Sequence, residues 1–205
     1  MSHIALIGIT GRAGSRIARE LLRRGHTVTG IARNPAKAEA VTGLTLRQAE
    51  ATQVDSLVPV LRGHDAVISA TRFAGGSDGP TLIAAVRQAG VPRLLVVGGA
   101  GSLQVAPGLA LIDTPEFPDA YKTEARAGSV MLDTLRAEKE LDWTFLSPSA
   151  LFEPGERTGK FRLGDDQLLA DAKGKSWISM EDFAIALVDE LETPSHSRRR
   201  FTVGY

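Results

Sequence analysis

The chain has 205 residues, 43% hydrophobic and 23% charged, with 24 basic side chains balancing 24 acidic ones. That is enough for one well-buried domain, and no net field draws it to nucleic acid or an acidic membrane surface. The absence of cysteine excludes disulfides and thiolate chemistry, no metal site is expected, and no apolar run is long enough to span a bilayer.

In chain order, an apolar β-branched run ending near Ile7 gives way to Gly8-Ile9-Thr10-Gly11-Arg12-Ala13-Gly14. A helical pattern follows, with Ile17, Ala18, Leu21 and Leu22 on one face and Gly25 as a left-handed stop. Strand, glycine turn and helix open a dinucleotide-binding βαβ unit. Gly8 would turn the chain out of the strand, Gly11 would admit a pyrophosphate to the backbone, and Gly14 would let the helix pack close to the sheet. The helix N-terminus offers unpaired N–H groups to the phosphates. The competing reading is a strand-to-helix turn that needs glycine for geometry alone.

Thr27 to Ala32 reads as the second strand. At its end, where NAD-preferring folds place a carboxylate for the ribose 2′-OH, stands Arg33. A guanidinium there suits a 2′-phosphate, so NADPH is favoured and NADH is the alternative. Arg12 could flank the same phosphate, and a solvated strand-end cation is the plain alternative for Arg33. Leu44 to Ala49 is the third strand, with Glu50 and Ala51 where an adenine ring would lie. Thr52 and Asp55 read as a capping box for a helix that Pro59 should kink or shorten.

Asp65 to Ala70 is the fourth strand, and its end, Ala70-Thr71, should border the cofactor across the topological switch point. The glycine-rich loop from Ala74 to Pro80 leads to a helix ending at Gly90. Arg93 to Val97 is a buried parallel strand followed by Gly98-Gly99-Ala100-Gly101-Ser102, read either as a close approach for a flat ligand or as a tight turn. The proline-rich span through Pro118 reads as one wall of a substrate pocket. A helix from about Tyr121 to Glu140 precedes the sixth strand, Leu141 to Leu146, which continues into Ser147-Pro148-Ser149-Ala150-Leu151-Phe152.

Two short strands are expected around Lys160 to Leu163 and Leu168 to Ala172, then a helix carrying Phe183, Leu187 and Leu191, then a strand from Arg200 to Val203. Arg198-Arg199-Arg200 reads as a solvated lead into that strand, and the four histidines read as solvated surface residues. The expected architecture is a single α/β domain over residues 1–205, a doubly wound parallel sheet with a small C-terminal cap. The N-terminus enters a strand almost at once, so the cytoplasm is the expected location.

The whole chain resembles the atypical short-chain dehydrogenase/reductases named NADH–flavin reductases, relatives of biliverdin reductase B and of NmrA-like redox sensors. The resemblance rests on Gly8 to Gly14, Arg33-Asn34-Pro35, Val96 to Ser102, Ser147-Pro148, Phe152 to Gly159 and Ile178 to Ala184. It implies an NAD(P)-binding Rossmann fold in which Thr10, Gly11, Arg12 and Ala13 hold the pyrophosphate and Arg33 the 2′-phosphate. It also implies that Ala70 and Thr71 line the ribose side, and that Pro148, Ser149, Ala150 and Leu151 receive the nicotinamide carboxamide.

The departures bear on chemistry. Typical relatives carry a Tyr-x-x-x-Lys pair for proton transfer, whereas Ala125 stands four residues after Tyr121 and Tyr205 is the last residue. Biliverdin reductase B has a histidine where this chain has Ser149. No acid–base pair is therefore assigned, and Ser102 and Tyr121 are the catalytic candidates. A delocalised acceptor can take its proton from water, so hydride transfer to a flavin or quinone fits this set. Phe117, Tyr121 and Phe152 would wall a planar acceptor or else pack beneath the loops. The alternative function is a non-catalytic NADP(H)-binding redox sensor, and an epimerase is disfavoured by the missing pair. The sequence does not fix the oligomeric state.

Overall fold

A computed structural model describes residues 1–39 and 41–205. The first half runs β1 (His3–Ile7), α1 (Arg12–Arg23), β2 (Thr27–Ala32), β3 (Leu44–Gln48), α2 (Val54–Leu61), β4 (Ala66–Ser69), α3 (Gly79–Ala89) and β5 (Arg93–Val97). The second half runs β6 (Gln104–Ala106), β7 (Leu109–Ala110), α4 (Asp119–Ala137), β8 (Asp142–Pro148), β9 (Leu151–Glu153) and β10 (Arg162–Gly164). It closes with β11 (Trp177–Ser179), α5 (Met180–Glu192) and β12 (Arg199–Gly204).

Eight strands form one sheet in the order β10-β12-β8-β5-β4-β1-β2-β3. Neighbours are parallel except for β10 against β12. Strand alternation sends side chains to two separate cores. Ala5 and Ile7 of β1 join Leu94, Phe145, Leu57, Val86 and Leu132 on the face covered by α2, α3 and α4. Ile4 and Leu6 join Leu95, Ile17, Leu21, Phe183 and Leu187 on the face covered by α1 and α5. Both faces are apolar, which is why the central strands read as continuous hydrophobic runs. The chain moves outward from β1 through β2 to β3, then crosses to β4 on the other side. The connection leaving β1 therefore runs to α1 on one face and the one leaving β4 to α3 on the other, which makes these adjoining strand ends the switch point.

The small C-terminal cap is the parallel pair β9–β11 with the loops around β10, whereas β10, α5 and β12 belong to the main layers. Leu168 to Ala172 is not a strand. Asp171 accepts the Lys173 and Lys175 amides at 2.8 and 2.9 Å, folding that segment into a turn. The pairing of β9 with β11 and the hairpin of β6 with β7 were not evident from periodicity. The capping box is also absent. Thr52 Oγ1 donates to Glu50 Oε1 at 3.2 Å, and Gln53 caps α2 without a side-chain bond. With Pro59 inside it, α2 is only 8 residues long.

The basic run near the C-terminus is not uniformly solvated. Arg200 is 6% exposed, paired with Asp166 and bonded to Ser102 Oγ at 3.1 Å. Three histidines are likewise held in place. His26 contacts Glu192 Oε1 at 3.0 Å, His64 contacts Thr29 Oγ1 at 2.8 Å, and His196 contacts Glu190 Oε2 at 2.7 Å. Among the described residues, no helix is long and apolar enough to cross a membrane.

Candidate functional site

The glycine turn is shaped by close backbone approach. Gly8 leaves β1 with φ +90°, and a Cβ there would stand 2.6 Å from the Ala70 carbonyl oxygen. A Cβ on Gly14 would overlap the Gly8 carbonyl, so α1 starts directly against the end of β1. Gly11 is the N-cap and donates to Gly8 O at 2.9 Å. The first amide to bond back into the helix is Ser15, to Gly11 O at 3.0 Å, which leaves the Arg12, Ala13 and Gly14 amides as the open donors. No side chain caps this end and no acidic residue occupies its first turn. A helix terminus with open donors and no competing carboxylate fits a bound diphosphate.

Thr10 and Arg12 are exposed at this turn, and Arg33 is exposed at the end of β2. Neither Arg12 nor Arg33 has an ion-pair partner among the described residues. Glu50 and Ala51 follow β3 on the same edge. The Glu50 amide donates to Ser56 Oγ at 2.8 Å, and the Ala51 carbonyl accepts from the buried Ser77 hydroxyl at 2.6 Å. Ala70 donates to Ile7 O at 2.9 Å, so the β4 end is tied to the β1 end, and Thr71 follows directly.

Beyond the switch point, at the ends of β4, β5 and β8, lies a cavity of about 400 Å³. Phe73, Gly99, Ser102, Phe117, Tyr121 and Leu151 are among its lining residues. Loop residues Leu111 and Thr114 and the α4 residues Glu124, Ala125 and Gly128 complete much of the wall. The proline-rich span lines this cavity through Leu111, Thr114, Glu116, Phe117 and Pro118, after the β6–β7 hairpin and a 3₁₀ turn, Leu111–Asp113. Tyr121 is 65% exposed at the rim.

Several expected site residues have other partners. Phe152 does not line the cavity, because its ring packs on Phe183 with centroids 4.7 Å apart. Gly98 lacks a side chain because the Phe145 ring and the Leu146 carbonyl fill that space, a packing role, while Gly99 faces the cavity. Ser149 is fully buried and donates to Val203 O at 3.0 Å. Pro148 pairs with Val203, and the Ala150 and Leu151 amides donate to Ser176 Oγ and O at 3.1 and 3.0 Å. A carboxamide at this edge must therefore use groups other than those two amides. Ser102 lines the cavity, but its hydroxyl already accepts from Arg200.

Phe73 and Glu124 were missed from sequence. The Glu124 carboxylate accepts the Phe73 and Ala74 amides at 2.8 and 3.0 Å, fixing the loop after β4. Phe73 then stacks near Phe145, with centroids 6.1 Å apart, and rests where Gly128 leaves room on α4. The available signal was an aromatic residue three positions past a strand expected to end at Ala70; Glu124 is one of three carboxylates on α4 and carried none.

The two late segments, Phe152 to Gly159 and Ile178 to Ala184, form a clasp. Asp182, fully buried, accepts the Thr158 and Gly159 amides at 2.8 and 2.9 Å and the Tyr205 hydroxyl at 2.7 Å. Burial, together with Asp182, pushes the Tyr205 phenol above its usual value. Burial would also raise Glu181, but the Gly155 amide and Arg16 outweigh it and hold that carboxyl low. Glu20, 4% exposed, is lowered to about 2 by its hydrogen bonds from Arg157, against the cost of burial, with Arg24 adding to the effect. These groups fasten the cap to α1 and α5 rather than facing the cavity.

A doubly wound sheet with a glycine turn at its switch point defines a Rossmann-type dinucleotide-binding protein. The chain matches the model of the NAD(P)H-binding family over residues 8–194 and belongs to that family. It is 43% identical to the uncharacterized protein YwnB of Bacillus subtilis, over 98% of this chain and 97% of that one. A crystal structure from Burkholderia pseudomallei, provisionally described as an exported protein, is 45% identical with a TM-score of 0.91 and full coverage of both chains. One from Streptococcus pneumoniae, provisionally named an NADH-flavin reductase, is 36% identical with a TM-score of 0.85, covering 100% of this chain and 99% of that one.

Proposed function

We propose that the chain is an NADPH-dependent reductase that passes a hydride to a flavin or a similar planar acceptor. The observation that carries this reading is the aromatic-walled cavity at the carboxyl edge of the sheet, the edge that also carries the glycine turn. Its volume of about 400 Å³ is in the range of small-molecule sites.

The Arg12 and Ala13 amides, with Thr10 and Gly11 around them, hold the pyrophosphate. Arg33, flanked by Arg12, takes the 2′-phosphate and favours NADPH over NADH. Glu50 and Ala51 border the adenine, and Ala70 and Thr71 the ribose. Gly99 and the segment from Pro148 to Leu151 border the nicotinamide, and Phe73, Phe117 and Tyr121 orient the acceptor. NADPH, when bound, would supply the hydride, and the one proton the acceptor also needs would come from water. The residues contribute position and exclusion of solvent, which suits a site with no assigned acid–base pair. We place this activity in the cytoplasm, where NADPH is regenerated.

The test is NADPH oxidation at 340 nm with riboflavin, FMN or a naphthoquinone. Turnover above the spontaneous rate is expected, and none with any acceptor overturns the reading. A second reading is a redox sensor, favoured by the engagement of the Ser102 and Ser149 hydroxyls in internal bonds. It predicts unequal affinities for NADP⁺ and NADPH by calorimetry and no hydride transfer.

A further inference from the structure

The aromatic-walled cavity has a one-sided charge. Glu116 and Glu124 belong to its lining, and no lysine, arginine or histidine does among the described residues. Glu124 is fixed by the Phe73 and Ala74 amides, so its charge cannot swing away. Glu116 is exposed at the rim.

Three of the cations that adjoin lining residues are already engaged, and a fourth, Arg126 beside Ala125, is exposed on α4 outside the lining. Arg72 points its Nε at Glu124 Oε2 from 3.6 Å and is itself largely in solvent. Lys122 Nζ lies 2.6 Å from Asp119 Oδ1. Arg200 reaches Ser102 Oγ, yet it is 6% exposed and paired with Asp166. The N-terminus of α4 also opens here, and Asp119 in its first turn answers the partial positive charge. An anionic group entering this space would meet two carboxylates and no cation in the lining, at a local dielectric below that of water.

We infer that the cavity selects a flat acceptor bearing no anionic group, so that riboflavin or an uncharged quinone enters and phosphorylated or sulfonated counterparts are turned away. The inference rests on the reductase reading for the identity of the cavity's occupant, but its charge rule concerns binding alone. Any negative charge formed on the acceptor during reduction would face the same carboxylates. Proton uptake from water would then accompany the hydride, and the neutral reduced acceptor would leave.

Two pairs that share a ring system and differ in charge test it: riboflavin against FMN, and 1,4-naphthoquinone against its 2-sulfonate. Affinities are measured in the presence of NADP⁺, by quenching of flavin fluorescence or by calorimetry, and turnover is followed at 340 nm in parallel. Riboflavin is expected to bind about tenfold more tightly than FMN at low salt, with the gap closing as ionic strength rises. Glu116→Lys should cut that advantage to about twofold, and Glu116→Gln should fall between. Unchanged NADP⁺ affinity in the variants reports that the fold is intact.

FMN binding as tightly as riboflavin overturns the inference, as does a ratio that Glu116→Lys leaves unmoved. If the charge preference appears in binding but no acceptor is reduced, the reductase reading falls and the selectivity stands. Failure of every compound to bind removes both.

Discussion

An exposed guanidinium at the end of β2 contributes little to stability, since Arg33 has no ion-pair partner among the described residues. Replacing it therefore isolates recognition from folding. Arg33→Gln is expected to weaken NADPH binding about tenfold or more while changing NADH binding less than about twofold, from the usual strength of charge-assisted hydrogen bonds. Calorimetric titration of both nucleotides checks this, and equal losses for both would remove Arg33 as the selector. Other residues were harder to read from sequence. Arg200 looked like its exposed neighbour Arg199, and only the arrival of Asp166 from a distant loop turns it inward. Ser149 reads from sequence as a residue at the nicotinamide edge, yet its hydroxyl is bound to β12, a contact spanning 54 positions of sequence.

At the scale of elements, the clasp between α1, α5 and the cap carries a pH dependence. Glu20 bonds both Arg24 and Arg157 and has its pKa lowered from 4.5 to about 2. A carboxyl lowered on folding adds stability that is fully present above the unfolded value. That stability is lost as pH falls from about 4.5 through about 2. At neutral pH it amounts to at most ~3 kcal/mol. Glu20→Gln should therefore be the less stable protein near pH 7 in urea unfolding, and its disadvantage should shrink steadily below pH 4.5. A constant difference across that range would show that Glu20 is not the titrating group. Elements with strong periodicity were legible: β1 to β5, β8, α1 and α5 lie close to where their apolar patterns put them. The three-residue strands β9 and β11 were not, because strands that short are defined by their partner and not by their own composition. Leu168 to Ala172 has strand-like composition, but Asp171 captures nearby amides before any ladder can form.

For the whole molecule, we propose that residues 1–205 fold as one domain. Trp143, 2% exposed between β5 and β12, reports on the interior of the sheet. With Trp177 of the cap replaced by Phe, the Trp143 fluorescence and the far-ultraviolet circular dichroism should then trace one coincident transition in denaturant. Two separated transitions would divide the chain instead. The glycine turn and the switch point were visible in the first third of the sequence because they depend on local geometry. The cavity was only partly visible, since its walls are gathered from the ends of β4, β5 and β8 and from α4. That gathering also matters on the ribosome. The first five strands complete a contiguous half-sheet, but the buried outer edge of β5 has no neighbour until β8 is made. The intervening segment takes roughly 2 to 9 seconds to synthesise at ordinary translation rates. During that interval the nascent chain presents an unpaired Leu-Leu-Val-Val edge, the kind of surface that chaperones shield and that aggregates when left bare.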